Sequence, residues 1–299
     1  MARFPGFTLV SFAAEGDPPT PAQEKTLQVA DGVTYTYRHY EKARFSAHTL
    51  IVDLSRNDLS VAVAKALEHI AGLERTQSIL QRIDRARTFT SILGGVNANF
   101  WAAGSHHPIG PTVIDGELLN NRRYKNWSSL AIGEDKSMHI DNFDVNTKVV
   151  TRHGAFPVSR MNERRDSLST VIYNSWYGST VPYFDTTWIN LASADTLTDD
   201  SEGTNGAAAA SEPTPLDSKE SGALKAQFEY LVLPRVNGMV QCRITHVDTG
   251  FVSVPRNGGV VSFGHGLFPF FFSLFIGDTF SIVTELEPKI EGQVLQMTS

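Results

Sequence analysis

The sequence predicts a β-rich α+β protein, built from mixed or antiparallel sheets with few helices. Two observations lead there. Short runs of aromatic and β-branched residues recur along the chain, and only one stretch carries a helical period. A third points the same way: Phe is the most frequent aromatic residue, at 18 positions, and aromatic side chains fit a pleated surface.

Thr34-Tyr35-Thr36-Tyr37 and His48 to Leu54 read as strands, and Leu59 to Ala64 alternates apolar with small or polar residues as a half-buried strand does. From Glu74 to Arg85 the period changes, with Ile79, Leu80 and Ile83 on one side and Thr76 as a candidate N-cap. Gly94-Gly95 then punctuates the chain, and Val96 to Trp101 is expected to resume as a strand. Val113 to Leu119 has the pattern of a hairpin turning at Asp115-Gly116. Further strands are expected within Ser128–Ile140, Thr170–Tyr177, Tyr230–Leu233, Val240–Val247, Phe251–Val254 and Phe280–Val283.

Residues 1–30 read as a disordered or processed lead-in, and 31–299 as one domain interrupted by an acidic, disordered insert at 192–222. That insert holds seven acids against Lys219 alone, which accounts for the whole formal charge of −6. The remainder is neutral, so no basic face of the kind that neutralises a phosphate backbone is expected, and no nucleic-acid partner. Cys242 is the single cysteine, which excludes an internal disulfide and a Cys-based zinc site. The longest apolar run, Leu267–Ile276, is broken by Pro269 and Ser273 and falls short of the ~20 residues of a membrane span. No cofactor is expected. The N-terminal Phe7–Ala14 stretch is too short and too broken for a convincing signal peptide.

The most informative segment is Gly94-Gly95-Val96-Asn97-Ala98-Asn99-Phe100-Trp101. On a strand, Asn97 and Asn99 share one face, and paired carboxamides offer donors and acceptors to sugar hydroxyls or phosphate oxygens. Turn capping is the competing reading for both. Flanking glycines would let backbone approach a ligand. Arg87, Arg122, Arg123 and Arg164 are candidate phosphate clamps, because guanidinium presents a planar fork. Tyr124 and Trp127, close behind Arg122-Arg123, could stack a sugar ring or form an ordinary solvated hairpin. His106-His107 reads as a surface loop, since neighbours on an extended segment face opposite ways.

The order of these elements resembles the phosphodiester glycosidase family. Gly-Gly-Val-Asn-Ala-Asn-Phe-Trp is followed by Pro108-Ile109-Gly110, Val113-Ile114-Asp115-Gly116 and Leu130-Ala131-Ile132-Gly133. Asn162-Glu163-Arg164 precedes Val171-Ile172-Tyr173, and Val260 to Gly266 precedes Ile276-Gly277-Asp278-Thr279. The likeness covers Thr49 to Pro288, with Ala98 standing where the family usually has Gly. It implies a hydrolase that cleaves the glycosidic bond of sugar-1-phosphodiesters or a related envelope glycan, located in the cell envelope or secreted. Side-chain chemistry makes Asn97, Asn99, Arg122, Arg123, Asn162 and Arg164 the candidate substrate-binding residues, with no catalytic residue assigned. The family's Asp-Gly-Gly-Gly-Ser-type motif is absent, so the C-terminal part of the domain is expected to be missing. A non-catalytic carbohydrate-binding or inactive form is the alternative.

Overall fold

The computed structural model of the chain describes residues 20–163, 165, 169–181, 224–264 and 274–299. The chain divides into two compact units, Met1–Ser60 and Val61–Ser299.

The first unit is an antiparallel meander of β1 (Gln23–Ala30), β2 (Val33–Tyr40) and β3 (Phe45–Val52). Arg56 clips its first turn by pairing with Asp31 at 2.6 Å and Asp58 at 2.8 Å. Gly32 makes that turn with a φ of +77°, where a Cβ would strike the Arg56 side chain at 2.6 Å.

The second unit opens with a 3₁₀ turn at Ala66–Glu68 and the helix α1 (Thr76–Ala86). Next in the chain come β4 (Thr112–Ile114), β5 (Glu117–Asn120), β6 (Ser129–Gly133) and β7 (Met138–Asp141). They are followed by β8 (Asp144–Thr151), β9 (Gly154–Pro157), β10 (Arg160–Met161), β11 (Thr170–Asn174) and β12 (Thr180–Val181). The last six are β13 (Leu224–Tyr230), β14 (Gly238–Asp248), β15 (Val252–Ser253), β16 (Gly258–Phe263), β17 (Thr279–Glu287) and β18 (Val294–Thr298). Eight of these form a sheet in the order β10-β11-β16-β13-β14-β17-β8-β9, and five form a second in the order β5-β4-β18-β6-β7. Pairing is antiparallel throughout except between β10 and β11.

One core joins the two sheets: Val113, Leu118, Ala131 and Met297 from the smaller pack with Val145, Ile172, Phe228 and Val261 from the larger. On the other side of the larger sheet, Val171, Tyr173 and Val260 pack with Val181, Val252 and Val254. Strands β11 and β16 are therefore buried at every residue, while β14 and β17 alternate. Burial on both faces explains why Val260-Val261-Ser262-Phe263 is nearly unbroken apolar sequence. The terminal strand β18 inserts between β4 and β6, so the smaller sheet closes only when both ends of the unit meet.

The α+β expectation is corrected: the fold is mostly β, with a single α-helix among the described residues. Helical period exists only where α1 forms, and even that helix buries none of its residues. Arg75 is its N-cap, without a side-chain hydrogen bond, and Thr76 opens the helix rather than capping it. Two expected strands, Leu59–Ala64 and Val96–Trp101, are not strands, and of Tyr230–Leu233 only Tyr230 belongs to one. Alternation favours a pleat, but a strand forms only where a neighbour supplies its backbone hydrogen bonds. At the N-terminus, β1 begins inside the stretch read as lead-in. The acidic insert at 192–222 lies outside the described residues.

Candidate functional site

Three asparagines build the frame of the site by doing what a neighbouring strand would do. Asn120 closes β5, its Nδ2 donating to the carbonyls of Pro108 at 2.8 Å and Gly110 at 2.9 Å. Its Oδ1 accepts the Arg122 amide at 3.0 Å. Asn162, fully buried with a φ of +54°, donates from Nδ2 to the Leu119 carbonyl at 3.0 Å and accepts the Asn174 amide on Oδ1, also at 3.0 Å. Asn174 donates to the Leu118 carbonyl at 3.0 Å and accepts the Trp176 amide at 3.3 Å. A carboxamide carries a donor and an acceptor, as a peptide unit does, so these side chains lace the edge of β5 to β10 and β11. Asn162 was expected to meet sugar hydroxyls. Both halves of its amide are instead committed to backbone.

The chain leaving this frame separates the two adjacent arginines. Arg123 turns towards Asp144 at 3.0 Å and the Lys125 carbonyl at 3.0 Å. Arg122 turns the other way and donates to Glu163 at 3.2 Å, a carboxylate that Arg160 also approaches at 3.5 Å. The Glu163 side chain is only 15% exposed, and two guanidiniums lie within ion-pair distance of it.

His107 completes the cluster. Its ring is largely enclosed, and burial pushes its pKa below the usual histidine value. The nearby charge of Glu163 opposes that shift, while Lys65, His69 and Arg122 reinforce it. No hydrogen bond to its ring nitrogens is found among the described residues, and the lowered pKa favours the neutral imidazole. His69 accepts the Ala71 amide on Nδ1 at 3.2 Å, which leaves Nε2 as its donor nitrogen. Lys65 donates to the Gly72 carbonyl at 2.5 Å. The segment carrying both is held by Arg82, which bonds Glu68, Glu74 and the Lys65 carbonyl.

The double-glycine segment reaches the site in a different form from the expected strand. Gly95 makes room for α1, since a Cβ there would stand 2.7 Å from a Leu80 methyl. Val96 is 76% exposed and Asn97 is exposed, so no face of a strand buries one and displays the other. Asn99 keeps a buried Oδ1 without a hydrogen-bond partner, and so does Asn121 beside Arg122. The chain then closes a hairpin: Ile109 donates to the Phe100 carbonyl and Ala102 to the His107 carbonyl, each at 2.9 Å. His106 makes its turn with a φ of +59°. One arm of this hairpin carries His107. The other carries Phe100, 64% exposed, whose ring meets Trp127 edge-on at 5.4 Å. Tyr124 meets the same indole at 4.9 Å, with Lys125 Nζ 5.6 Å from the tyrosine ring. The hairpin thus joins a cationic cluster to an exposed aromatic trio.

Of the expected site residues, the structure pairs Arg122 with Glu163 beside Asn162, leaves the buried Asn99 Oδ1 without a hydrogen-bond partner, and sends Arg123 to Asp144. Arg164 lies outside the described residues. Among the described residues no group of three or more His, Cys, Asp or Glu converges as a metal site. A cavity of about 30 Å³ between the sheets, lined by Leu118, Tyr230, Val240 and Thr284 among others, has room only for water.

The fold has a solved counterpart. A hypothetical protein from Synechocystis superposes with a TM-score of 0.51 at 14% identity, over 92% of this chain and 42% of that one. A Burkholderia pseudomallei K96243 protein described as a candidate exported protein gives 0.47 at 15% identity, over 89% and 49%. Identity this low speaks for shared fold alone, and the chain spans less than half the length of either structure. No family model and no curated protein matches the sequence. Among the described residues no helix is long and apolar enough to cross a membrane.

Sequence reading assigned His106-His107 to a surface loop and gave Lys65 and His69 no role. A Pro after His107 was the available signal, because it favours extended backbone and lets the two imidazoles diverge. Lys65 and His69 had no local signal: they reach the site through the Ile70 amide on the Trp176 carbonyl at 2.7 Å, a long-range contact. Glu117 was also missed. Its carboxylate accepts Trp176 Nε1 at 2.8 Å and Tyr230 OH at 3.2 Å, and burial pushes its pKa up to about 7 despite both donors.

Proposed function

We propose that the chain acts on a sugar phosphodiester of the cell envelope, as a hydrolase of the phosphodiester glycosidase type. The observation that carries this reading is the His107 imidazole, its pKa lowered by burial, near the charges of Lys65, Arg122 and Glu163. Lysine and arginine hold the phosphate oxygens, with the His69 Nε2 proton as an added donor. Phe100 on the far arm of the hairpin, with Trp127 and Tyr124 packed edge-on beside it, supports a sugar ring.

The chemistry then balances without a strong acid. Water adds to the anomeric carbon and gives its proton to His107. The bond from that carbon to the phosphate oxygen breaks, and its electron pair leaves on the phosphate monoester. A phosphate is a far better leaving group than a sugar alkoxide, so little protonation of the departing oxygen is required. An electron-poor sugar carbon forms in the transition state, and Glu163 is the carboxylate of this cluster that would offset it.

The test is release of sugar from a nitrophenyl ester of a sugar-1-phosphate. His107→Ala should lower kcat by about 10²–10⁴-fold, the usual worth of a general base. Arg122→Ala should act mainly on KM. The acid limb of the pH profile should fall below the ordinary histidine pKa, because the His107 pKa is lowered. A chain that is stabilised thermally by the phosphodiester yet never turns it over would be a carbohydrate-binding protein instead. The site's position on an open hairpin, rather than in a cleft, favours that second reading.

A further inference from the structure

The first unit carries a second surface of distinct chemistry, independent of the reading above. In its antiparallel register Lys25, Tyr37 and His48 lie side by side across β1, β2 and β3, and His39 lies beside Ser46 in the next row. Side chains directly opposite one another share a face, so these five and Tyr35, two residues from Tyr37, stand on the same side of the sheet.

The rings on this face are fixed before any ligand arrives. His48 stands between the two tyrosines, with centroids 6.0 Å from Tyr35 and 5.1 Å from Tyr37. Tyr35 OH shares a hydrogen bond of 2.6 Å with His48 Nδ1, and Tyr37 OH shares one of 3.2 Å with Ser46. His39 Nδ1 meets the same serine hydroxyl at 3.0 Å. Lys25, Ser46 and His48 are exposed and the tyrosines half-exposed, so solvent covers a row of oriented rings about 7 Å apart along the strand.

Charge selects the occupant. The one carboxylate in the three strands, Glu24, lies on the reverse face, bonded to Arg38 at 3.1 Å. The ring-bearing face presents Lys25 and two imidazoles with no acid among them. A flat, pre-oriented row of rings beside a lysine, imidazole nitrogens and hydroxyls, with no acid on the face, matches a linear sugar polymer bearing carboxylates or phosphates. A nucleic acid fits poorly, because one lysine offers too few phosphate contacts. We propose that this face binds an extended acidic polysaccharide.

The full chain is run in native gels cast with polygalacturonate, with dextran as the neutral polymer and polyuridylate as the nucleic acid. Polygalacturonate should retard the wild-type chain and dextran should not. Tyr37→Ala should weaken retardation at least about tenfold, as loss of a stacking ring does. Lys25→Glu leaves every ring in place and should weaken it about as much, by reversing the charge on an exposed side chain. Thr49→Ala, on the reverse face, should bind as wild type. The proposal is overturned if polygalacturonate leaves wild type unretarded, if dextran or polyuridylate retards it equally, or if Thr49→Ala weakens as much as Tyr37→Ala. It is also overturned if Lys25→Glu binds as tightly as wild type.

Discussion

Two polar regions lie a few residues apart in the second unit, and they treat their hydrogen-bonding groups in opposite ways. In the asparagine frame both the nitrogen and the oxygen of the Asn162 carboxamide meet a backbone partner inside the protein. In the adjoining cluster, the His107 ring and the Asn99 and Asn121 oxygens find no such partner among the described residues. The first arrangement is what a buried polar group requires, because an unmet amide in the interior costs about 1–3 kcal/mol. The second keeps that cost in reserve for something the structure does not itself supply. Saturation marks the groups that hold the fold, and vacancy marks the groups free to meet a ligand.

Breaking the saturated side should give the largest effect. Asn162→Ala removes both carboxamide bonds and leaves the Leu119 carbonyl and the Asn174 amide without partners in a buried place. It also puts alanine at a φ of +54°, a conformation that asparagine tolerates better. The expected loss is about 4 kcal/mol of unfolding free energy from two orphaned groups and the strained backbone. Urea denaturation at neutral pH checks it. Arg122→Ala, only one residue pair away, should change stability by less than about 1 kcal/mol, since its ion pair is exposed on the arginine side. Equal losses in the two variants would erase the distinction.

The same contrast explains how much could be read from the sequence. The hairpin at Asp115-Gly116 was legible because its turn chemistry is local: both residues take positive φ, 50° and 82°, and the dipeptide announces it. The long strands β14 and β17 were legible because one face of each is buried, which writes alternation into the residues. Val96–Trp101 carried the same alternation without a partner strand, and nothing in the segment itself distinguishes the two cases. The site was half legible for a related reason. Arg122 and Asn162 stood out by side-chain chemistry, a planar guanidinium and a carboxamide. Their roles did not, because whether an amide is saturated depends on Leu119 and Asn174, which the sequence places far from Asn162. Lys65 and His69 arrive by a long-range contact that leaves no local trace at all.

Glu117 sharpens the comparison from the saturated side, since it has two donors and yet remains costly when charged. The unfolded carboxyl titrates near 4.5 and the folded one near 7, so the folded protein holds a proton that the unfolded chain releases. Stability from the protonated form is complete below pH 4.5 and is lost as the pH rises to about 7. The shift corresponds to an upper bound of about 3 kcal/mol. Glu117→Gln removes the titration with little change of shape. It should match wild type near pH 4.5 and exceed it by up to about 3 kcal/mol at pH 8.5, followed by denaturant midpoints across that range. A difference independent of pH would show that the carboxyl is ionised throughout.

The smallest effect should come from the vacant side, at Trp127. Its indole meets Phe100 and Tyr124 edge-on, yet all three rings lie at the surface, so the trio adds little to the core. Trp127→Ala should lower unfolding free energy by about 1 kcal/mol or less, the worth of exposed edge-to-face contacts. Its effect on a sugar phosphodiester should be larger in proportion: about tenfold in KM or Kd, with kcat retained, because the ring supports the sugar equally before and during bond cleavage. His107→Ala should do the reverse, lowering kcat with little change in binding. If both variants moved the same kinetic constant, the two arms of the Phe100–Ile109 hairpin would not be serving separate parts of one ligand. The aromatic trio would then be an ordinary solvated surface.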